Sequence, residues 1–294
     1  MKILSKLLNN CRKPDRQIGM ELGISGGAVG SRIGKMENLG IIEKFCLKVE
    51  PPLLGLNMFY IVVNTQNQKE IIKNVKLAGM PFTIVPCVGG ITAIGVVVKE
   101  DVQQKIELLE KLMQNVRVMS VFEADNTKIT HNLTRTDLEI LNQLVKDPRK
   151  RIEQLSRDTE LSTKTINRGL EKLQNNESIQ FTLVFDPSKI EGFLCYAVVA
   201  ITQEDIPKML EKFEKEFSGD YLMKPFLAKN QVVLFLYSDS IFKMDEMTEK
   251  ISKVQGTIAT ELFTPKKIDM PEKWLEKRLE TLTKSQTLHL SQVN

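Results

Sequence analysis

The chain has 294 residues, of which 42% are hydrophobic and 27% charged, a balance that supports two or more packed domains and excludes a disordered polymer. Its net charge of +4 is concentrated at the start, where residues 1–49 carry nine Lys or Arg against four Asp or Glu. No run approaches the roughly 18 apolar residues that a membrane span needs, and the lysine-interrupted stretch from Met1 to Leu8 is too short for a secretory signal, so a cytoplasmic protein with no membrane partner is expected.

The chain repeats itself. A shift of 137 residues lays Ile3-Leu4 on Ile140-Leu141, Leu7 on Leu144, Val29 on Ile166, Ile33 on Leu170 and Ile42 on Ile179. With one residue dropped, Glu50-Pro51 falls on Asp186-Pro187 and Tyr60-Ile61-Val62-Val63 on Tyr196-Ala197-Val198-Val199. The reading is a tandem duplication of a unit of about 130 residues.

Each unit opens with three short helical patterns. In the first, helix one begins almost at Ile3, without a lead-in, and is expected to fray; Pro14 opens helix two, and Gly23-Ile24 forms the turn. Ser25 caps helix three, Val29, Ile33 and Met36 form its inner stripe, and Gly40 ends it. The run Ile41–Val49 reads as a wing. Strands follow near 57–65, 82–88, 91–98 and 117–124, with helices near 68–78 and 101–114. The second unit repeats the plan. Thr134 and Asp137 suggest a capping box before a helix over about 135–146, Pro148 stops it, Ser162 caps a third helix, and Ile179–Phe185 is the second wing. Strands near 193–202, 220–228, 231–238 and 257–263 alternate with helices near 205–217 and 241–254. The last amphipathic stretch, Pro271 to about Thr283 with Trp274, Leu275, Leu279 and Leu282, reads as a docking helix.

The fold class is therefore α+β: two winged helix-turn-helix domains (1–50 and 133–187) alternate with two ferredoxin-like βαββαβ domains (55–127 and 192–265), and a C-terminal helix and tail complete the chain (266–294).

A helix-turn-helix reads DNA by laying its last helix in the major groove, so side chains off the inner stripe carry the contacts. In the first copy these are Gly26, Gly27, Gly30, Ser31, Gly34 and Lys35, with Arg32 beside them and Ser25 at the helix start. In the second they are Thr163, Lys164, Thr165, Asn167, Arg168 and Lys172, with Ser162 at the start. The second set offers groups that hydrogen-bond base edges or phosphates. Glycines in the first cost roughly 1 kcal/mol each relative to alanine and read either as sites of close backbone approach or as drift in a decaying module. Basic residues also recur at one place in both copies: Arg12, Lys13 and Arg16 before or within helix two, and Arg149, Lys150 and Arg151 at the equivalent position. This doubling favours phosphate contact over a merely solvated loop, with Arg16, Arg149 and Arg151 as candidates.

The run from Gln17 to Ile42, with its helix-turn-helix followed by Gly40-Ile41-Ile42 and then Glu50-Pro51, resembles the DNA-binding half of the Lrp/AsnC (leucine-responsive regulator) family. The ferredoxin-like half resembles that family's effector and assembly domain. The resemblance covers nearly the whole chain twice. It implies a sequence-specific double-stranded DNA-binding transcription regulator, dimers joined through sheets, and often an amino-acid effector. One chain would then resemble a fused dimer, with further homodimerisation open. The family's effector turn has Gly-x-x-Asp spacing, whereas Gly90 is followed here by Ile91, Thr92 and Ala93. Gly89, Gly90 and Thr92 are the remaining effector candidates, with a tight Gly-Gly hairpin as the simpler reading.

Two alternatives stand beside this reading. Siroheme decarboxylases of haem biosynthesis share the two-part architecture, but such a site needs His or Arg acids inside the α/β domains. The stretches Phe82–Val88 and Met223–Phe226 offer no histidine, and neither of the two histidines is expected in the cores of those domains. The other is an adaptor that no longer binds DNA. No catalytic residue, cofactor or metal is assigned, since Cys11, Cys46, Cys87 and Cys195 are scattered without a CxxC pair, and only His131 and His289 are available beside them. The thiols read as small buried hydrophobes.

Overall fold

The computed structural model describes residues 1–65, 67–99, 101–123 and 133–291, with side chains described as far as residue 285; His131 and the side chain of His289 lie outside this set. The first copy runs α1 (Lys2–Asn9), α2 (Asp15–Leu22), α3 (Gly26–Asn38), β1 (Ile42–Val49), β2 (Asn57–Asn64), α4 (Gln68–Ala78), β3 (Met80–Pro86), β4 (Ile91–Val98), α5 (Val102–Leu112) and β5 (Arg117–Glu123). The second runs α6 (Arg135–Leu144), α7 (Ile152–Thr159), α8 (Thr163–Gln174), β6 (Ile179–Phe185), β7 (Leu194–Thr202), α9 (Ile206–Phe217), β8 (Phe226–Ala228), β9 (Gln231–Ser238), α10 (Ile241–Ser252) and β10 (Thr257–Phe263). Helix α11 (Lys273–Ser291) follows. Two four-stranded sheets have the orders β3-β4-β2-β5 and β8-β9-β7-β10, each with two helices on one face.

The strands expected as separate wings pair with each other. β1 and β6 form an antiparallel ribbon from Ile42 opposite Phe185 to Val49 opposite Ile179. Because the strands run in opposite directions, the start of each lies under its own helix-turn-helix and its end lies under the other. Leu183 and Phe185 of β6 thus pack with Leu4, Leu7, Ile18, Val29 and Ile33 of the first module. Leu47 and Val49 of β1 pack with Leu141, Leu144, Leu155, Ile166 and Leu170 of the second. Polar links reinforce the exchange: the Cys11 amide donates to the Phe181 carbonyl (2.8 Å), and Thr182 Oγ1 and Gln180 Nε2 donate to the Leu8 carbonyl (2.7 and 3.0 Å). Helix α1 buries Ile3, Leu4, Leu7 and Leu8 in this composite core, which anchors the helix that the sequence reading expected to fray.

The one-residue drop does not persist into the sheet, as the sequence comparison expected it to. Gly55 and Gly192, both left-handed (φ 70° and 65°), are again 137 apart, and the ladders β2–β4 and β7–β9 superpose Asn57 on Leu194. Phe59, not Tyr60, is therefore the partner of Tyr196, and Tyr60 corresponds to Ala197. The alternation of a strand decides this, since one residue of slip exchanges its faces. Phe59 and Tyr196 both face their helices, whereas Tyr60 and Ala197 both face the opposite sheet.

Three further differences concern the second copy and the tail. The strand expected over 220–228 is regular only over β8, with an isolated bridge from Tyr221 to Leu236. The chain after β10 runs along the free edge of β3, where Ile84 and Asp269 exchange two backbone hydrogen bonds of 2.9 Å. Helix α11 extends eight residues past the expected Thr283 end. It packs Trp274, Leu275 and Leu279 into the core of the second helix-turn-helix, while Arg278 Nε and Nη2 donate to the Leu54 carbonyl (2.9 and 2.7 Å).

The exchanged strands make a directional prediction. Leu183→Ala should destabilise the protein by about 2–5 kcal/mol and raise amide exchange in α1–α3, and Leu47→Ala should do so in α6–α8. Hydrogen exchange read by mass spectrometry distinguishes this crossed pattern from one in which each strand protects its own module.

Candidate nucleic-acid interface

The two third helices are built alike. Ser25 Oγ accepts from the Ala28 amide and Ser162 Oγ from the Thr165 amide, both at 3.1 Å, so these hydroxyls serve as N-caps. The left-handed residue that ends the second helix is Gly23 in the first module and Glu160 in the second, 137 residues apart. With the apolar stripes buried, Ser31, Arg32 and Lys35 are exposed on α3, and Thr163, Lys164, Asn167 and Arg168 on α8. Thr165 is half-buried and shares a 2.8 Å hydrogen bond with Ser162; Asn167 Nδ2 donates to the Thr163 carbonyl at 2.9 Å.

Lys172, also of the expected DNA-facing set, is exposed but tethered. Its ammonium ion-pairs with Asp137, which is buried and also accepts from the Thr134 amide and hydroxyl (both 2.8 Å) in the capping box of α6. The lysine is thereby tied to helix α6.

The α3 glycines divide into two pairs. A Cβ on Gly26 would stand 3.0 Å from the Arg16 Cα, and one on Gly30 3.0 Å from Asp15 Oδ2, so these two let α3 pack closely on α2. Gly34 has nothing within 4 Å and Gly27 only Ser25 Oγ at 4.0 Å, so this second pair leaves the helix surface open. Proximity to an outside partner thus describes only half of what the sequence reading assigned to them.

The two basic clusters meet in space. The turn between α1 and α2 and that between α6 and α7 line one cleft, with Arg12, Lys13, Arg149, Lys150 and Arg151 in its wall. Most of these cations are held by the fold in matched pairs. Arg12 lies over the Phe181 ring (5.8 Å to its centre) and donates to the Pro148 carbonyl at 2.6 Å. Arg149 lies over Phe45 (4.7 Å) and contacts Asp15 Oδ1 at 3.4 Å. Lys13 pairs with Glu21, and Lys150 with Asp158. Arg149 is accordingly a joint between the copies as well as a cation, whereas Arg16 and Arg151 are exposed. The sequence signal for this meeting was present in the 137-residue spacing of Arg12 and Arg149, but the spacing alone does not say that the two turns touch.

Gly89 and Gly90 form the expected positive-φ turn (79° and 82°), while Thr92 is buried on the helix-covered side of the sheet beside Ile94. The four cysteines are buried and free. Burial pushes their thiols up, to about 12 for Cys11, Cys46 and Cys195 and about 11 for Cys87.

Residues 133–180 match the family of winged helix-turn-helix DNA-binding domains. The HTH-type transcriptional regulator Ptr1 of Methanocaldococcus jannaschii is 30% identical over 122 residues, which cover 40% of this chain and 82% of that protein. The HTH-type transcriptional regulator LrpA of Pyrococcus horikoshii is 37% identical over 68 residues, 23% of this chain and 48% of that protein. Over the full length, the crystal structure of the siroheme decarboxylase NirDL shares the fold, with a TM-score of 0.51, 15% identity, and coverage of 99% of this chain and 98% of that one.

Two measurements check the local geometry. Gly34→Ala, which meets open space in a helix, should stabilise the protein by about 0.5–1 kcal/mol, whereas Gly19→Ala, whose Cβ would press the Ile24 carbonyl, should destabilise it; denaturant midpoints read both. A thiol-reactive chromophore at pH 8 should label none of the four cysteines in the folded protein and all four after unfolding. Rapid labelling of any of them under native conditions would contradict their burial.

Proposed function

Since this chain belongs to the Lrp/AsnC family of helix-turn-helix DNA-binding transcription regulators, we propose that it grips double-stranded DNA as a covalent equivalent of a dimer, one module per copy. The observation that carries this reading is that both third helices bury their apolar stripe and leave a polar edge in solvent. The β1–β6 ribbon ties the two modules into one frame, so their separation is a property of the fold.

The modules divide the work. Lys164 and Arg168 of α8, with Thr163, Thr165 and Asn167 beside them, meet base edges and phosphates; the capped N-terminus at Ser162 adds backbone amides for a phosphate. In α3 the open surface at Gly27 and Gly34 lets the backbone approach, with Ser31, Arg32 and Lys35 contacting the strands. Arg16, in the first turn of α2, and Arg151, in the turn before α7, contact phosphates. We propose no effector at the Gly89-Gly90 turn, since Thr92, the one polar side chain among the candidates, is buried.

We propose further that the chain is not an enzyme. The charged groups lining the cavity between the sheets are Lys48, Lys224, Glu261 and Glu272, and among the described residues of that lining there is no histidine or arginine, which supports the regulator over the decarboxylase.

Anisotropy with genomic duplexes at low and moderate salt tests the reading. The Lys164→Ala/Arg168→Ala double variant should bind about 10–100-fold more weakly while staying folded. Arg151→Ala should weaken all sequences alike and reduce the salt slope by about one. Failure of the wild type to bind any duplex at low salt would overturn the proposal, and a tetrapyrrole absorbance shift on mixing would turn it toward the decarboxylase.

A further inference from the structure

The two sheets face each other across a space they do not fill. The cavity measures about 180 Å³ and is lined by the inner faces of both sheets together with β1, the segment after β10 and the start of α11. Its origin is the unequal content of equivalent positions. Tyr60 of β2 corresponds to Ala197 of β7, so one sheet projects a large ring where the other has only a methyl group, and Ala93 and Ser120 are also small. The walls cannot close over the gap, because the β1–β6 ribbon and the backbone bonds between Ile84 and Asp269 fix the copies from two sides.

We propose that this cavity is a binding site for a small uncharged aromatic molecule of one or two fused rings. Size is the first argument: an apolar cavity of roughly 150 Å³ stays dry and accepts benzene, and this one is slightly larger. Chemistry is the second. Seven aromatic side chains line the space. Tyr60 stands edge-on to Phe226 (4.4 Å between centres) and Phe82 (5.5 Å) and stacks on Phe122 (5.4 Å). Ring faces and edges of this kind favour a planar aromatic guest over a branched aliphatic one. Charge is the third. Lys48 is held by Glu50 at 2.7 Å and Glu272 by Lys44 at 2.8 Å, while the other two charged groups of the lining, Lys224 and Glu261, are exposed to solvent, so the apolar remainder of the wall favours an uncharged guest. This site is separate from the DNA-reading helices and does not depend on the DNA reading.

The single tryptophan of the chain, Trp274, is in the wall and only 4% exposed, which supplies a direct reporter. Iodobenzene, a heavy-atom quencher of the stated class, should quench Trp274 emission saturably and raise the melting temperature. Ala197→Leu, which fills the cavity from the second sheet, should weaken the quenching by about tenfold or more and abolish the thermal shift. Circular dichroism checks that the variant is folded; if it is not, Ala93→Val supplies the filling from the first sheet and carries the same expectation. Quenching that rises linearly without saturation, or that is equally strong in the folded filled variant, would overturn the proposal. DNA binding by the same preparations is read separately by anisotropy, so loss of one property does not imitate loss of the other.

Discussion

The antiparallel pairing of β1 with β6 is the constraint on which the remainder of the molecule depends. A three-helix module of this length leaves an apolar underside that its own residues do not cover, and burial of that surface is the main source of its stability. Here the cover is supplied by the ribbon: each module rests on the start of its own strand and the end of the other copy's strand. Neither module has a complete core without the other copy. Duplication within one chain therefore makes the contact intramolecular, and its strength no longer depends on protein concentration.

The covalent link also released the two copies from being identical, and they have diverged in complementary ways. The second module gained α11, whose Trp274, Leu275 and Leu279 extend its core, and it carries the side-chain-rich recognition helix. The first rests on the ribbon and the segment after β10, through Ile268, and its recognition helix has four glycines at Gly26, Gly27, Gly30 and Gly34. Two of those glycines are explained by the closeness of α2. Where α8 exposes Lys164 and Arg168, α3 exposes Arg32 beside its glycines, so the two third helices present chemically different edges to solvent.

Most of the architecture was legible because it is written in periodicities that local chemistry enforces. The inner stripes Val29-Ile33 and Ile166-Leu170, the caps Ser25 and Ser162, and the left-handed turn at Gly23 are local features, and the structure has each of them. What was not legible is non-local. A single apolar strand such as Ile42–Val49 reads equally as a wing or as half of a ribbon, because period-2 alternation does not name its partner. The Tyr60 to Tyr196 match failed for a related reason: identity at one position outweighed alternation in a comparison made without the faces of the strand. On the interface, Lys172 and Arg149 looked free in sequence; their partners Asp137 and Phe45 lie 35 and 104 residues away and are brought to them only by packing.

The core of the second module does not stop at the module. Leu141, Leu144 and Ile166 belong to one continuous apolar cluster with Leu47 and Val49 of the ribbon, Tyr60 and Phe82 of the first sheet, and Trp274 of α11. Five of these eight residues, from Leu47 to Trp274, also line the space between the sheets. A close-packed interior transmits displacement because its neighbours have few alternative arrangements. A side chain moved in the inter-sheet wall therefore acts on the helices that support α8 through direct contact, with no intervening loop. The first module has a cluster of its own, meeting that wall through Val85, Met223, Phe235, Ile268 and Met270, none of which belongs to its recognition helix. The asymmetry that α11 introduces thus falls on the same side as the exposed Lys164 and Arg168 of α8, so the third helix with more polar side chains also has a supporting core that extends to the inter-sheet wall.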